Sequence, residues 1–511
     1  MNSLAPRDAT MYWLSTRTRN DLFLLYCFTD TGLPTARLRA RIAERVSHIP
    51  DLLLRVRDAP ANLAYPAWVA ADFAEDQFVE HELPTPTWTA VTAALGEILD
   101  TSLDATHRPW RLHIFRAVAQ APVDPDEPAL VAVLQLSHAL ADGRRAADIA
   151  RALFSESDSG ERGFAGAADD SEDASAAATR GSVAGAGGAP VSAAAANGSA
   201  DEARSAAASA AFGSVLGLGS AFTSEFGRWL SAATAVPLIP VGLGRTMIRG
   251  VAAYRAQRAL AELTDAGELP PPSPGYPPNL LNGTGLPAGA SGPPRHEVRM
   301  LVRSATDTRT PGYSVTVVVL TAVSLALQRY LTARGEVAPE LAAQVPMAVA
   351  GAAAGARNRY RDLSVNLAVA EADPRPRAER IAADLTARRT RARHPLHGAQ
   401  DAVTFAIPAP VLRKDVLHYP IDVLPDSVSG HTVVSSVDRG PADLVFGGGR
   451  VRFTAGFPAL GTVMRLTHGV HGLGGAITIS VHSDPRIIPD PDAYANLLDT
   501  ALNEVVAALR R

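Results

Sequence analysis

The sequence predicts an α/β (α+β) protein with two folded units. Three observations carry that expectation. At 511 residues the chain exceeds what one hydrophobic core usually holds. Strand-like and helix-like stretches alternate from 1 to 154 and again from about 296 to 511. Between them the composition shifts, first to alanine, glycine and serine and later to proline and glycine.

In the first unit, "DLFLLYCF" reads as a buried strand and "ARLRARIAERV" as an amphipathic helix. "TAVTAALGEILDTSL" is a second helix. "RLHIFRAV" and "ALVAVLQL" are strands joined by "APVDPDEP", which has the content of a hairpin loop. Residues 155–211 hold almost nothing large and apolar, so they cannot bury enough surface to offset ordering and are expected to be a disordered linker. In 212–295, Val215, Leu218, Phe222, Phe226, Trp229 and Leu230 fall on one helical face. "TAVPLIPVGL" is apolar but broken by Pro237 and Pro240, and "RTMIRGVAAYRAQRAL" sets four arginines beside apolar residues. Two readings stand for that region: helices packing on the core, or a basic amphipathic surface resting on anionic lipid. A proline- and glycine-rich connection follows. The second unit, 296–511, offers the apolar helix "SVTVVVLTAVSLALQRYL", the strand "AAQVPMAVA" and the helix "PRAERIAADLTARRTRAR". The strands "GRVRFTAGF" and "GAITISVHS" and the helix "DAYANLLDTALNEVVAALRR" close it.

A formal net charge of −4 gives no general reason to expect nucleic acid. Cys27 is the single cysteine, so no disulfide forms within the chain, which fits a reducing compartment. The start lacks the layout of a signal peptide, and no stretch of about 20 uninterrupted apolar residues is present. An intracellular protein is expected. "HPLH" (His394, His397) and "HGVH" (His468, His471) have ligand-like spacing but no acidic or cysteine partners nearby, so no metal site is expected. "ARRTRAR" reads as a solvated helix face, with attraction of coenzyme A phosphates as the alternative.

The chemistry concentrates in "LVAVLQLSHALADGRRAADIARALF", residues 130–154. A strand leads into His138, and Asp142 and Gly143 turn the chain into a helix. An imidazole titrating near neutrality takes a proton from an alcohol and returns it to a leaving group. Asp142 is expected to pair with an arginine and hold the loop that aims the ring. Gly143 is expected to supply backbone freedom or a close approach.

"SHALADG" resembles the HHxxxDG signature of the chloramphenicol acetyltransferase-like superfamily. The chain resembles most the bacterial wax ester synthase/diacylglycerol acyltransferase family. "LAPRDATMYWL" (4–14) is similar to that family's opening, "SLDATHRPWRLHIF" (102–115) to its LDRSRPLWELHLI segment, and "HSDPRIIPDPDAY" (482–494) to its closing element. Ser137 stands where the family has its first motif histidine. Asn366 follows Val365 rather than glycine, and "SSVDRGP" (435–441) departs from an Asn-Val-Pro-Gly-Pro element.

The resemblance implies two chloramphenicol acetyltransferase-like domains in a V, with an active-site tunnel between them. It implies transfer of a long-chain acyl group from acyl-CoA to diacylglycerol or a fatty alcohol. His138 would be the general base, Asp142 and Gly143 would complete the motif, and neither cofactor nor metal would be needed. It also implies a cytoplasmic protein resting on the inner membrane face or lipid bodies. A different acceptor, or a lipid-binding homologue without catalysis, are the alternatives that the altered elements leave open.

Overall fold

The computed structural model describes residues 2–155, 238–284, 296–349, 355–421 and 423–511. Of the expected linker only Ser155 is among them, and the face carrying Val215 to Leu230 lies outside them.

The strands of the first 154 residues are β1 (Asn2–Ser3), β2 (Leu22–Thr29), β3 (Leu54–Arg57), β4 (Ala67–Ala70), β5 (Phe78–Glu80), β6 (Trp110–Val118) and β7 (Ala129–Leu136). Those after residue 295 are β8 (Glu297–Ser304), β9 (Ala342–Ala348), β10 (Tyr360–Asn366), β11 (Thr432–Asp438), β12 (Val445–Phe446), β13 (Gly449–Gly456), β14 (Leu466–Leu473) and β15 (Ala476–Ser483). They form two six-stranded sheets, ordered β12-β13-β2-β7-β6-β5 and β10-β9-β11-β14-β15-β8, with β1-β4-β3 as a smaller third.

The strands β2 and β7 read as near-continuous apolar runs because both faces of their sheet are covered. On one face Leu24, Tyr26 and Phe28 pack with helices α1 (Pro6–Ser15), α2 (Thr35–Val46) and α4 (Gly143–Phe154). On the other, Phe23, Leu25 and Cys27 pack with α3 (Trp88–Leu99) and Val298. Burial pushes the Cys27 thiol up to about 12, which leaves it unreactive.

The first 154 residues do not complete this sheet alone. From the C-terminal half, β13 pairs antiparallel with β2, from Val451↔Phe28 to Gly456↔Leu24. Without it, β2 would be a long apolar edge strand open to wrong pairing.

The second sheet buries its face under α6 (Val315–Ala333) and α8 (Pro491–Arg510). By length and composition α6 would cross a membrane, but 78% of that window is buried inside the protein. It is a core helix.

Two readings from the sequence change. Pro240 does not break a helix: it sits in the first turn of α5 (Leu238–Asp265), where its missing N–H has no intrahelical acceptor to lose. The arginine-rich face of α7 (Pro374–Ala392) is not simply solvated. Arg388 and Arg391 donate to the carbonyls of Pro271 and Pro270 at 2.7 and 2.8 Å and hold the proline-rich connection.

Candidate active site

The strand β7 ends at Leu136, and Ser137 begins a tight turn whose carbonyl accepts from Leu140 N–H at 2.8 Å. The N–H of Ser137 donates to the Pro109 carbonyl at 2.8 Å, and Ser137 is buried. Beside Pro109, the fully buried Trp110 donates its indole N–H to Leu52 O at 2.8 Å and stacks on Phe73. The "RPW" stretch thus docks the motif loop from below.

His138 follows, half-buried, with its ring 5.9 Å from that of Tyr360. Its Nδ1 is shut off from solvent and has no hydrogen-bond partner among the described residues. What fixes the residue is its main chain. The amide Nδ2 of Asn358 donates to the His138 carbonyl at 2.8 Å and to Asp8 Oδ1 at 2.9 Å. Asp8, fully buried, also accepts the backbone N–H of Asn358 at 3.0 Å and of Arg357 at 3.0 Å. Burial pushes the Asp8 carboxyl up against those bonds. Asp8 belongs to the opening "LAPRD", so that motif acts here by anchoring the clamp on His138.

Asp142 is the N-cap of α4. Its Oδ1 accepts Arg145 N–H at 2.9 Å, satisfying a helix-end donor. Its Oδ2 accepts Arg359 N–H at 2.9 Å. The expected arginine ion pair is therefore replaced by two backbone amides, and Asp142 joins the motif loop to residues 357–360 rather than touching the ring. The Arg145 guanidinium goes instead to Asp51, with bonds of 2.9 Å from Nε and Nη2, and Arg357 reaches the same carboxylate at 2.6 Å. Burial would raise the Asp51 carboxyl, but the two guanidinium groups hold it below the usual range. Arg357 also lies over the Trp68 ring at 4.9 Å.

Gly143 needs no special backbone, because capping by Asp142 makes the turn and the residue begins α4 without a left-handed φ. A Cβ there would meet only Val437 Cγ2, at 3.8 Å. Val437 lies in "SSVDRGP", so that departing element borders the motif glycine. Asn366 does not join the site. It caps the far end of β10, six residues or roughly 20 Å from Tyr360, and its Oδ1 accepts Ala368 N–H at 2.8 Å.

The wax ester synthase/diacylglycerol acyltransferase catalytic-domain model matches residues 4–228. The WS/DGAT C-terminal-domain model matches 357–505. The chain belongs to the wax ester synthase/diacylglycerol acyltransferase family. No curated protein matches it. Among solved structures, the wax ester synthase/diacylglycerol acyltransferase from Marinobacter aquaeolei VT8 is similar over 100% of both chains, at 16% identity and TM-score 0.58. The starter condensation domain of rhizomide synthetase RzmA, in complex with C8-CoA, is similar over 100% of this chain and 95% of its own, at 12% identity and TM-score 0.52. Both likenesses concern the chloramphenicol acetyltransferase-like fold.

In β14, His468 and His471 are three residues apart on a strand, so they project to opposite faces and cannot share a metal. No group of three or more His, Cys, Asp or Glu side chains suited to a metal occurs among the described residues. A cleft lined by Arg17, Arg19, Asp21, His296, His482 and Arg465 does not include His138. Arg17 there donates to the Val416 and Tyr419 carbonyls, and Arg19 to Asp100 O and Ser102 Oγ. These contacts are structural.

Proposed function

We propose that the protein moves a long-chain acyl group from acyl-CoA to the hydroxyl of a lipid alcohol, diacylglycerol or a fatty alcohol, with His138 as general base. The carrying observation is the clamp: a half-open imidazole at a strand end whose carbonyl is gripped by the buried Asp8–Asn358 pair. A base held through its main chain keeps its ring free for substrate. Family membership supports acyl transfer, and the C8-CoA complex of the RzmA domain supports coenzyme A as the carrier.

In the proposed step His138 removes the hydroxyl proton as the oxygen attacks the thioester carbonyl. The tetrahedral intermediate then collapses and expels the CoA thiolate. That leaving group needs little acid help, since a thiol's pKa is about 8.5. The imidazolium returns its proton to the thiolate or to water. The backbone amides beside Gly143, at the positive end of α4, are the donors this reading assigns to the oxyanion. With substrates of this kind, the proposal includes a cytoplasmic protein at the inner face of the membrane or on lipid bodies.

The test uses labelled palmitoyl-CoA with hexadecanol or diacylglycerol. Wild type forms wax ester or triacylglycerol, and His138→Ala lowers that rate by about 10²–10⁴-fold, the usual worth of general-base catalysis. Transfer by His138→Ala at the wild-type rate would remove the assignment.

A further inference from the structure

Four of the large apolar side chains most exposed among the described residues lie on one helix. In α5, Met247, Ile248, Val251 and Tyr254 are 59%, 73%, 52% and 63% exposed. At 100° per residue these four, with Arg255 and Arg258, occupy an arc of about 120°. The opposite side is the packed one. Ala256 and Leu260 are buried there, Thr246 donates to Ala406 O at 2.8 Å, and Arg249 donates to Ala402 O at 3.0 Å. The helix therefore has a docked face and an apolar face with arginines set within it.

Charge identifies the occupant. From Leu238 to Ala261 the chain carries four arginines and no aspartate or glutamate, although the whole chain has a formal charge of −4. Positive charge is concentrated where apolar side chains are most exposed. Arg245 and Arg255 are exposed, and Arg258 meets Glu262 at 3.7 Å with both side chains about two-thirds solvated, an ion pair of little strength. Arginines inside an apolar arc suit an interface at which the aliphatic stems lie among acyl chains and the guanidinium groups reach phosphates.

We propose that the 247–258 face of α5 is the surface by which this protein rests on a bilayer rich in anionic phospholipid. This deepens the proposed function, since the lipid substrates would be met there, and rests on it for purpose only. The arginines contribute an attraction that salt screens, and the apolar side chains add binding that salt does not screen.

Flotation of the full-length protein with vesicles tests it. Wild type should float with equal parts of phosphatidylglycerol and phosphatidylcholine, sediment with phosphatidylcholine alone, and bind less as salt rises. Combined Arg255→Glu and Arg258→Glu should weaken binding by at least about tenfold, and Ile248→Asn with Val251→Asn should remove the salt-resistant part. All these side chains are exposed, so the melting temperature should hold. His138→Ala should float as wild type does, which separates this surface from the assignment of the base. Equal flotation by wild type and the charge-reversed variant overturns the proposal. So does a wild type that self-associates and becomes monomeric on Ile248→Asn.

Discussion

His138 and His468 occupy comparable places, one just past β7 and the other on β14, each strand fourth in its six-stranded sheet. Their surroundings differ. His138 is half-buried, with an unpartnered Nδ1 and a carbonyl held by Asn358. His468 is fully buried, with Thr432 Oγ1 at 3.0 Å from Nδ1 and Tyr494 OH at 2.8 Å from Nε2. Burial pushes the His468 imidazole down to about 3. One histidine is fixed by its backbone with its ring at liberty; the other is fixed by its ring and serves packing. A motif that looks chemical in sequence is separated from one that is structural by where the partners attach.

The largest expected effect on stability belongs to the sealed ring. His468 has a folded pKa near 3, against about 6.5 when unfolded. Between those values the unfolded chain binds the extra proton, so the stabilisation is whole above pH 6.5 and falls as pH drops toward 3. Across that window His468 alone accounts for roughly 5 kcal/mol. His468→Gln should flatten the acid decline by about one proton, close to 1.4 kcal/mol per pH unit, in denaturant titrations at several pH values. An unchanged slope would mean that the ring is not sealed.

Asp142→Ala comes next. It removes a helix cap and the acceptor for Arg359 N–H together, so a loss of about 1–3 kcal/mol is expected. That is below the roughly 3–5 kcal/mol of a broken buried ion pair. Transfer activity should fall as well, because the loop carrying His138 loses its tie to residues 357–360. A stable variant with full activity would show that the cap does not matter to the site.

The smallest effect is expected at Ser137. Its structural work is done by its backbone, through Pro109 O and Leu140 N–H. Ser137→Ala should therefore change the melting temperature and the transfer rate little. A large loss of rate would transfer the catalytic role to the position before His138.

The legible and illegible parts of the molecule divide along the same line. Strands buried on both faces, such as β2 and β7, and the apolar α6 announce themselves as continuous runs. β14 does not: "LTHGVHGL" mixes glycine and histidine with apolar residues, and its burial comes from neighbouring strands rather than its own pattern. The strand-turn-helix around His138 is local, and the structure reproduces it. The clamp is not local. Asp8 and Asn358 are 350 residues apart and meet only in the tertiary structure. "LAPRD" carries a resemblance, but nothing in it says that its aspartate holds an asparagine against the loop of His138. Asn358 carried no signal, because one polar residue in an arginine-rich turn resembles any solvated loop. The arginine expected beside Asp142 was close at hand, yet Arg145 supplies its amide there and gives its side chain to Asp51.

The most direct test is the rate of palmitoyl transfer per folded molecule, measured for His138→Ala and His468→Gln beside wild type. Loss of about 10²–10⁴-fold for His138→Ala at an unchanged melting temperature, with His468→Gln within a few-fold of wild type, is the predicted result. Full transfer by His138→Ala, or a comparable loss in folded His468→Gln, would contradict the claim that the open, backbone-held histidine is the base.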